Sequence, residues 1–224
     1  QCPTKNGVNT LTGCVATAMA QIMYYYKYPE TGRGVSKAYT TKTSKLPIPS
    51  VLFSATTYKW HLMEDRHTAN SSEAANQAVA ELNYHCGVAS VMDFDVDASG
   101  TQVTNAALGM INHFGYDAAM DKVSPGAYTA SDWYDLLVAE IQAGRPVLYS
   151  GLSPSSGVAH AFICDGVKSN RFHFNWGWGG LSDGFFTVDG IEYNEFVTAL
   201  TNIKPDEGGK AVLKMAIYNT YPLE

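Results

Sequence analysis

An α+β fold in two lobes is the architecture this sequence predicts, on three observations. Helix-period apolar patterning dominates the first half of the chain. After Pro146 the pattern changes to short strands cut by Gly, Asn, Asp and Ser turns. Those strands follow one another closely without intervening helices, which favours antiparallel pairing. Helices first and strands second is the order of an α+β protein, not of an alternating α/β one. A chain of 224 residues, 46% of them hydrophobic, suits one domain with a sizeable core. Its lobes divide at about residues 1–115, mainly helical, and 116–224, mainly β.

The first helix runs from Cys14 to Tyr26, where Val15, Ala18, Met19, Ile22 and Met23 make a wide apolar face. Thr12 is placed to cap its start, and Pro29 stops it downstream. So broad a face suits a helix buried on most sides. Residues 30–60 are rich in Gly, Pro, Ser, Thr and Lys and read as a long surface excursion with short strands at most. A second helix begins near Asn70-Ser71-Ser72-Glu73, a capping-box pattern, and reaches about Cys86, with Gly87 as its C-cap. A third covers Gln102 to Phe114 before Gly115, and a fourth Ser131 to Ala143 before Gly144. Strands are expected at Val147–Tyr149, Ala159–Cys164, Arg171–Trp176, Gly184–Val188 and Val212–Tyr218. The stretch Thr198–Lys210 contains Pro205-Asp206-Glu207-Gly208-Gly209 and reads as a mobile loop.

Composition excludes several classes of function. With 15 basic and 21 acidic residues the net charge is −6, which argues against a nucleic-acid partner. No uncharged apolar run approaches the roughly 18 residues a membrane span needs. Only 16% of residues are charged, against about 25% in typical domains; Tyr, Gly, Ser, Thr and Asn take their place, as on many secreted proteins. Cys2, Cys14, Cys86 and Cys164 allow two disulfides in three pairings, but four are too sparse for a disulfide scaffold and no C-x-x-C pair suggests zinc. Cys86 and Cys164 lie in apolar runs and read as buried thiols; Cys2 reads as structural or incidental. Asp93, Asp95 and Asp97 begin like a calcium loop, yet Ala98 and Thr104 stand where an EF-hand needs Gly and Glu. An acidic loop fits better, and Asp97–Thr101 is placed to border a cleft. No metal or organic cofactor is implied. The chain starts at Gln1 without a signal-like stretch, so it reads as a processed product or one given without its upstream part.

Cys14 is the residue with the clearest chemistry. It follows Thr12-Gly13 at a helix start, where unpaired N–H groups and the positive end of the macrodipole favour thiolate. Gly13 has no side chain, so a substrate backbone could come close to the sulfur. The competing reading of Cys14 is a small buried hydrophobe. A thiolate nucleophile also needs a base. His61, His67, His85 and His113 fall in loop or helical polar contexts, and His173 alternates with Phe172 and Phe174 in a strand. His160 opens the apolar run Ala161-Phe162-Ile163, where a polar ring can project into a cleft. Downstream, Asn175-Trp176-Gly177-Trp178-Gly179-Gly180 combines an amide able to orient an imidazole with indoles able to cover it. A packed aromatic turn and a sugar-stacking platform are the other readings of that motif.

These residues carry a resemblance. Thr12-Gly13-Cys14-Val15-Ala16-Thr17-Ala18-Met19-Ala20-Gln21-Ile22-Met23 with Lys27-Tyr28-Pro29, His160-Ala161-Phe162 before Asp165-Gly166, and Asn175 to Gly180 before Asp183-Gly184-Phe185-Phe186 resemble the streptopain-like (streptopain/interpain) family of papain-fold bacterial cysteine proteases. Phe114-Gly115-Tyr116 and Pro146-Val147 match as well, as does the separation of 146 positions between Cys14 and His160. The resemblance spans nearly the whole chain. It implies a single papain-like catalytic domain over residues 1–224, with the active site in the cleft between its lobes. It implies a secreted or surface bacterial endopeptidase matured from a zymogen, a virulence factor in some hosts, acting on protein or peptide substrates and paired with a cleaved propeptide. Cys14 carries over as nucleophile and backbone oxyanion donor, and His160 as general base and acid. Asn175 and Trp176 carry over as the residues that orient and shield His160. Gly13, Val158, Ala159 and Trp178 are the expected substrate-binding positions.

Two positions depart from the family pattern. The family's oxyanion Gln stands in a short motif upstream of the nucleophile, and Gln1–Gly13 contains no such motif. Gln1, directly before Cys2-Pro3, is not expected to be that residue; the segment carrying it is expected to be absent or cleaved. Val158-Ala159 replaces a common Gly-Gly before His160 and changes the rim of the cleft. Other functions that the same residues allow are a transglutaminase-like acyl transfer, and a silent module holding a glycan or host protein on its Trp176/Trp178 face.

Overall fold

The computed structural model describes residues 2–207. A two-stranded hairpin, β1 (Thr4–Lys5) and β2 (Val8–Asn9), leads into helix α1 (Cys14–Tyr26). The excursion that follows contains only the short pair β3 (Tyr39–Thr40) and β4 (Pro47–Ile48) and two 3₁₀ turns. Helices α2 (Glu73–Ala89) and α3 (Val103–Phe114) complete the first lobe. The second lobe holds β5 (Asp121–Val123), α4 (Ala130–Gln142), β6 (Val147–Leu152), β7 (Ala159–Lys168), β8 (Arg171–Asn175), β9 (Gly184–Phe186) and β10 (Glu195–Thr201). The fold is α+β, as expected, with four α-helices and a six-stranded antiparallel sheet among the described residues.

The sheet order is β5-β10-β6-β7-β8-β9. Its strands alternate sides, so each face has its own core. Leu148, Ala161, Ile163 and Leu200 face the helical lobe and share a core with Met19, Ile22 and Met23 of α1. Val147, Tyr149, Phe162, Phe174 and Ala199 face the opposite side, where Trp133 and Leu137 of α4 cover them. The result is three layers: α1–α3, sheet, α4.

Local chemistry explains where the helices end. Thr129 caps α4 by accepting from the Asp132 N–H, and Gly115 takes the left-handed conformation that ends α3. Three expectations are corrected. Ser72 caps α2 alone, by accepting from the Ala75 N–H; no reciprocal box forms because position 75 is alanine. Helix α2 also runs past Gly87 to Ala89. Gly87 is packed inside the helix because a Cβ there would stand 2.6 Å from the Phe94 ring. Most of all, Thr198–Thr201 is not loop but the end of β10, a central strand whose Ala199, Leu200 and Thr201 are buried. Strand β5 was also missed. The expected strand Val212–Tyr218 lies outside the described residues.

Candidate active site

Cys14 is the first residue of α1, so its N–H has no carbonyl partner within the helix. The residue before it is the N-cap, and here another expectation fails: the cap is Gly13, with no side-chain bond, rather than Thr12. The Thr12 hydroxyl lies 3.8 Å from the Cys2 sulfur instead. Gly13 stands at φ 87°, and its carbonyl accepts from the Thr17 N–H at 3.1 Å and hydroxyl at 3.2 Å. An N-terminus without a side-chain cap keeps its N–H groups and its positive end available at the sulfur. The space beside Gly13 is filled from within the protein. A Cβ there would meet the Met92 thioether at 2.8 Å and the Ser99 carbonyl at 3.0 Å.

His160 is the second residue of β7 and pairs with Gly151 of β6. Its Nε2 lies 2.8 Å from the Trp176 carbonyl. A carbonyl only accepts, so Nε2 carries the proton and Nδ1 is left as the free nitrogen. The Trp178 ring stacks on the imidazole at 5.0 Å and 23°, and the Tyr193 ring approaches it at 5.0 Å. Burial holds His160 below the usual imidazole range, and the Trp176 carbonyl pulls it back up. Burial raises the Tyr193 hydroxyl, with smaller contributions from nearby Glu192 and Cys14.

Trp176 uses every polar group it has. Its carbonyl holds His160, its N–H donates to Asp183 Oδ1 at 2.9 Å, and its indole N–H donates to the Ser182 carbonyl at 2.9 Å. The side-chain oxygen of Asn175 is bonded away from His160. It accepts from Gln21 Nε2 at 2.8 Å and from the Gly177 N–H at 3.0 Å. The polar contact to the imidazole thus comes from the backbone carbonyl of Trp176, and the indole stacked on the ring is that of Trp178.

Cys14 and His160 line one cleft of about 790 Å³. The helical lobe contributes Met92, Gln102 and, of the loop Asp97–Thr101 expected to border the cleft, Ala98 to Thr101 but not Asp97; the sheet lobe contributes Ser150, Ala159 and Phe196. Of the expected substrate-binding positions, Ala159 lines this cleft, Val158 is exposed nearby in the chain, and Trp178 lies over His160. Asn175 lines a separate cavity of about 420 Å³ with Gln21 and Arg145.

Sequence reasoning missed Gln21, Asp183, Tyr193 and Phe196. Gln21 and Asp183 stand inside the motifs quoted above, and Gln21 shares the Cys14 face of α1 at a spacing of seven. Phe196 projects from a β-bulge, 82% exposed at φ 47°; a lone aromatic gives no sequence signal of that. Among the described residues no group of acidic, His or Cys side chains could hold a metal ion, and no helix is long and apolar enough to cross a membrane. His85 is corrected too: it is buried, with Nδ1 3.0 Å from the Tyr58 hydroxyl. The four cysteines are free thiols, Cys86 and Cys164 fully buried as expected.

A model of the Peptidase C10 family matches residues 1–186. Streptopain of Streptococcus pyogenes serotype M1 is 32% identical over 219 residues, covering 89% of this chain and 54% of the relative. The chain thus spans about half the length of the streptopains it matches. The thiol protease/hemagglutinin PrtT of Porphyromonas gingivalis is 34% identical over 185 residues, 82% of this chain and 21% of the relative. Among solved structures, active wild-type interpain A of Prevotella intermedia superposes with a TM-score of 0.80 at 34% identity, covering 89% of this chain and 86% of that one. A mutant prointerpain A fragment gives a TM-score of 0.78 at 33% identity, covering 89% and 65%.

Proposed function

The chain belongs to the Peptidase C10 family, a family of cysteine-type peptidases, and from that premise we propose that it is a secreted endopeptidase working through Cys14 and His160. The observation that carries the reading is the Trp176 carbonyl on His160 Nε2, in a cleft shared with Cys14. That bond fixes the tautomer that turns Nδ1 to the task of exchanging a proton with a thiol.

Cys14, as thiolate, attacks the carbonyl carbon of a bound peptide bond and forms a C–S bond. The oxyanion that develops meets the free N–H at the start of α1. Imidazolium His160 gives its Nδ1 proton to the amine nitrogen as the C–N bond breaks, leaving a thioester. Water then attacks the thioester, with His160 taking its proton, and the acid product leaves Cys14 free again. The exposed Phe196 and the apolar Met92 and Ala159 give the cleft walls suited to an apolar substrate side chain. Substrates in this reading are proteins and peptides, and maturation removes a propeptide. Support for a separate glycan platform is weak, since one face of Trp178 is taken up by His160.

The test is Cys14→Ala. Casein cleavage should fall to background, and labelling by an epoxide inhibitor of papain-like enzymes should disappear. Cleavage at the wild-type rate would remove the assignment. Product analysis with a primary amine acceptor separates hydrolysis from acyl transfer.

A further inference from the structure

Gln21 lies two turns beyond Cys14 on α1, and its side chain is directed at the turn that holds His160 in place. Three hydrogen bonds link these parts. Gln21 Nε2 donates to Asn175 Oδ1 at 2.8 Å, the Gly177 N–H donates to the same oxygen at 3.0 Å, and the carbonyl between them, on Trp176, accepts from His160. Amide orientation follows from the chemistry. A backbone N–H can only donate, so Gly177 fixes the oxygen of Asn175, and Gln21 must then present its nitrogen. Gln21 Oε1 is buried with no partner, so of the two ends of this amide only the donor is in use. Gly177 itself, at φ 76°, leaves 3.1 Å between the place of a Cβ and the Thr17 methyl, so the turn lies directly on α1.

We propose that Gln21 is a positioning residue: its N–H, through Asn175, locks the 175–177 turn and so aims the Trp176 carbonyl at His160. One helix then carries the nucleophile at its first residue and sets the base through its eighth. Neither end can move without the other, which is what a reaction sensitive to about 1 Å requires. The inference rests on the Cys14–His160 reading above.

Gln21→Met keeps the length of the side chain and deletes the donor. It should lower kcat about tenfold while KM stays within about twofold. Loosening the Trp176 bond also removes support for imidazolium, so the alkaline limb of kcat/KM should move to lower pH. Gln21→Glu adds a second signature. Its carboxylate cannot donate, but its protonated form can, so on the acid side of the profile, below the alkaline limb, the ratio of Gln21→Glu to wild-type activity should rise as pH falls, while that of Gln21→Met stays flat there. Wild-type kcat and pH profile in Gln21→Met would overturn the proposal. So would equal losses in both variants at every pH, which is what packing alone predicts. If Gln21→Met does not fold, the pH-dependent recovery of Gln21→Glu decides by itself. Cys14→Ala is measured alongside: if it is inactive while the Gln21 variants behave as wild type, only this inference fails, and if it stays active the underlying reading fails first.

Discussion

Gly13 shows how much of this site depends on one atom being absent. At φ 87° and ψ 138° the backbone is in a region that side chains avoid, and the Ser99 carbonyl would stand 3.0 Å from a Cβ. Gly13→Ala should therefore destabilise the protein by roughly 1–3 kcal/mol and displace the Cys14 N–H; chemical denaturation together with inhibitor labelling would register both, and an alanine protein of unchanged stability would contradict the strain. That Cys14, His160 and the Trp-Gly turn come together was legible in the sequence because each brings an unusual residue type in an unusual neighbourhood. The division of labour in the turn was not. Asn175 and Trp176 are both expected to hold the imidazole, and Asn175 offers the polar side chain, yet the atom bonded to the ring is the backbone oxygen of Trp176, a group that every residue possesses. A backbone group gives no signal in composition, and only its geometry reveals it.

At the scale of elements, helices were easier to read than strands. The bounds of α1, α3 and α4 follow from local chemistry within a turn, whereas Gly87 misled because its smallness accommodates the Phe94 ring rather than ending a helix. Strand β10 was hidden by its neighbourhood: the Pro-Gly run after it looks like loop, and its partners β5 and β6 are more than 40 residues earlier. Helix α2 yields a prediction about pH. His85 is buried beside Phe53 and bonded to Tyr58 of the long excursion, and burial pulls it from 6.5 to about 4. The unfolded chain thus takes up this proton first on acidification. Its contribution to stability is complete above about pH 6.5 and is lost as pH falls toward 4, where the folded ring finally charges. Thermal melts across that range should show falling midpoints, with a shallower slope in His85→Gln, which keeps a partner for Tyr58 without titrating. An unchanged slope would place the acid sensitivity elsewhere.

For the whole molecule the question is whether two lobes make one folding unit. The cleft suggests independence, but the core does not. Leu148, Ile163, Leu200 and Ile203 from the sheet side belong to the same apolar cluster as Met19, Met23, Leu82 and Phe114 of the helices. The proposed catalytic pair straddles that boundary, with Cys14 on α1 and His160 on β7, so a lobe that opened alone would separate the two residues. Leu148→Ala, at a position with no exposed surface, should cost about 3 kcal/mol and lower the melting midpoint by about 10 °C. Two buried thiols offer a direct test of cooperativity. Cys86 reports on the helical lobe and Cys164 on the sheet, and both are fully buried. In a denaturant series each should become reactive to a thiol reagent at one common midpoint, and Leu148→Ala should move both by the same amount. Reaction of Cys164 at lower denaturant than Cys86 would mean that the sheet lobe unfolds by itself. The shared core would then be a contact surface between two units, and the alignment of Cys14 with His160 would depend on docking rather than folding.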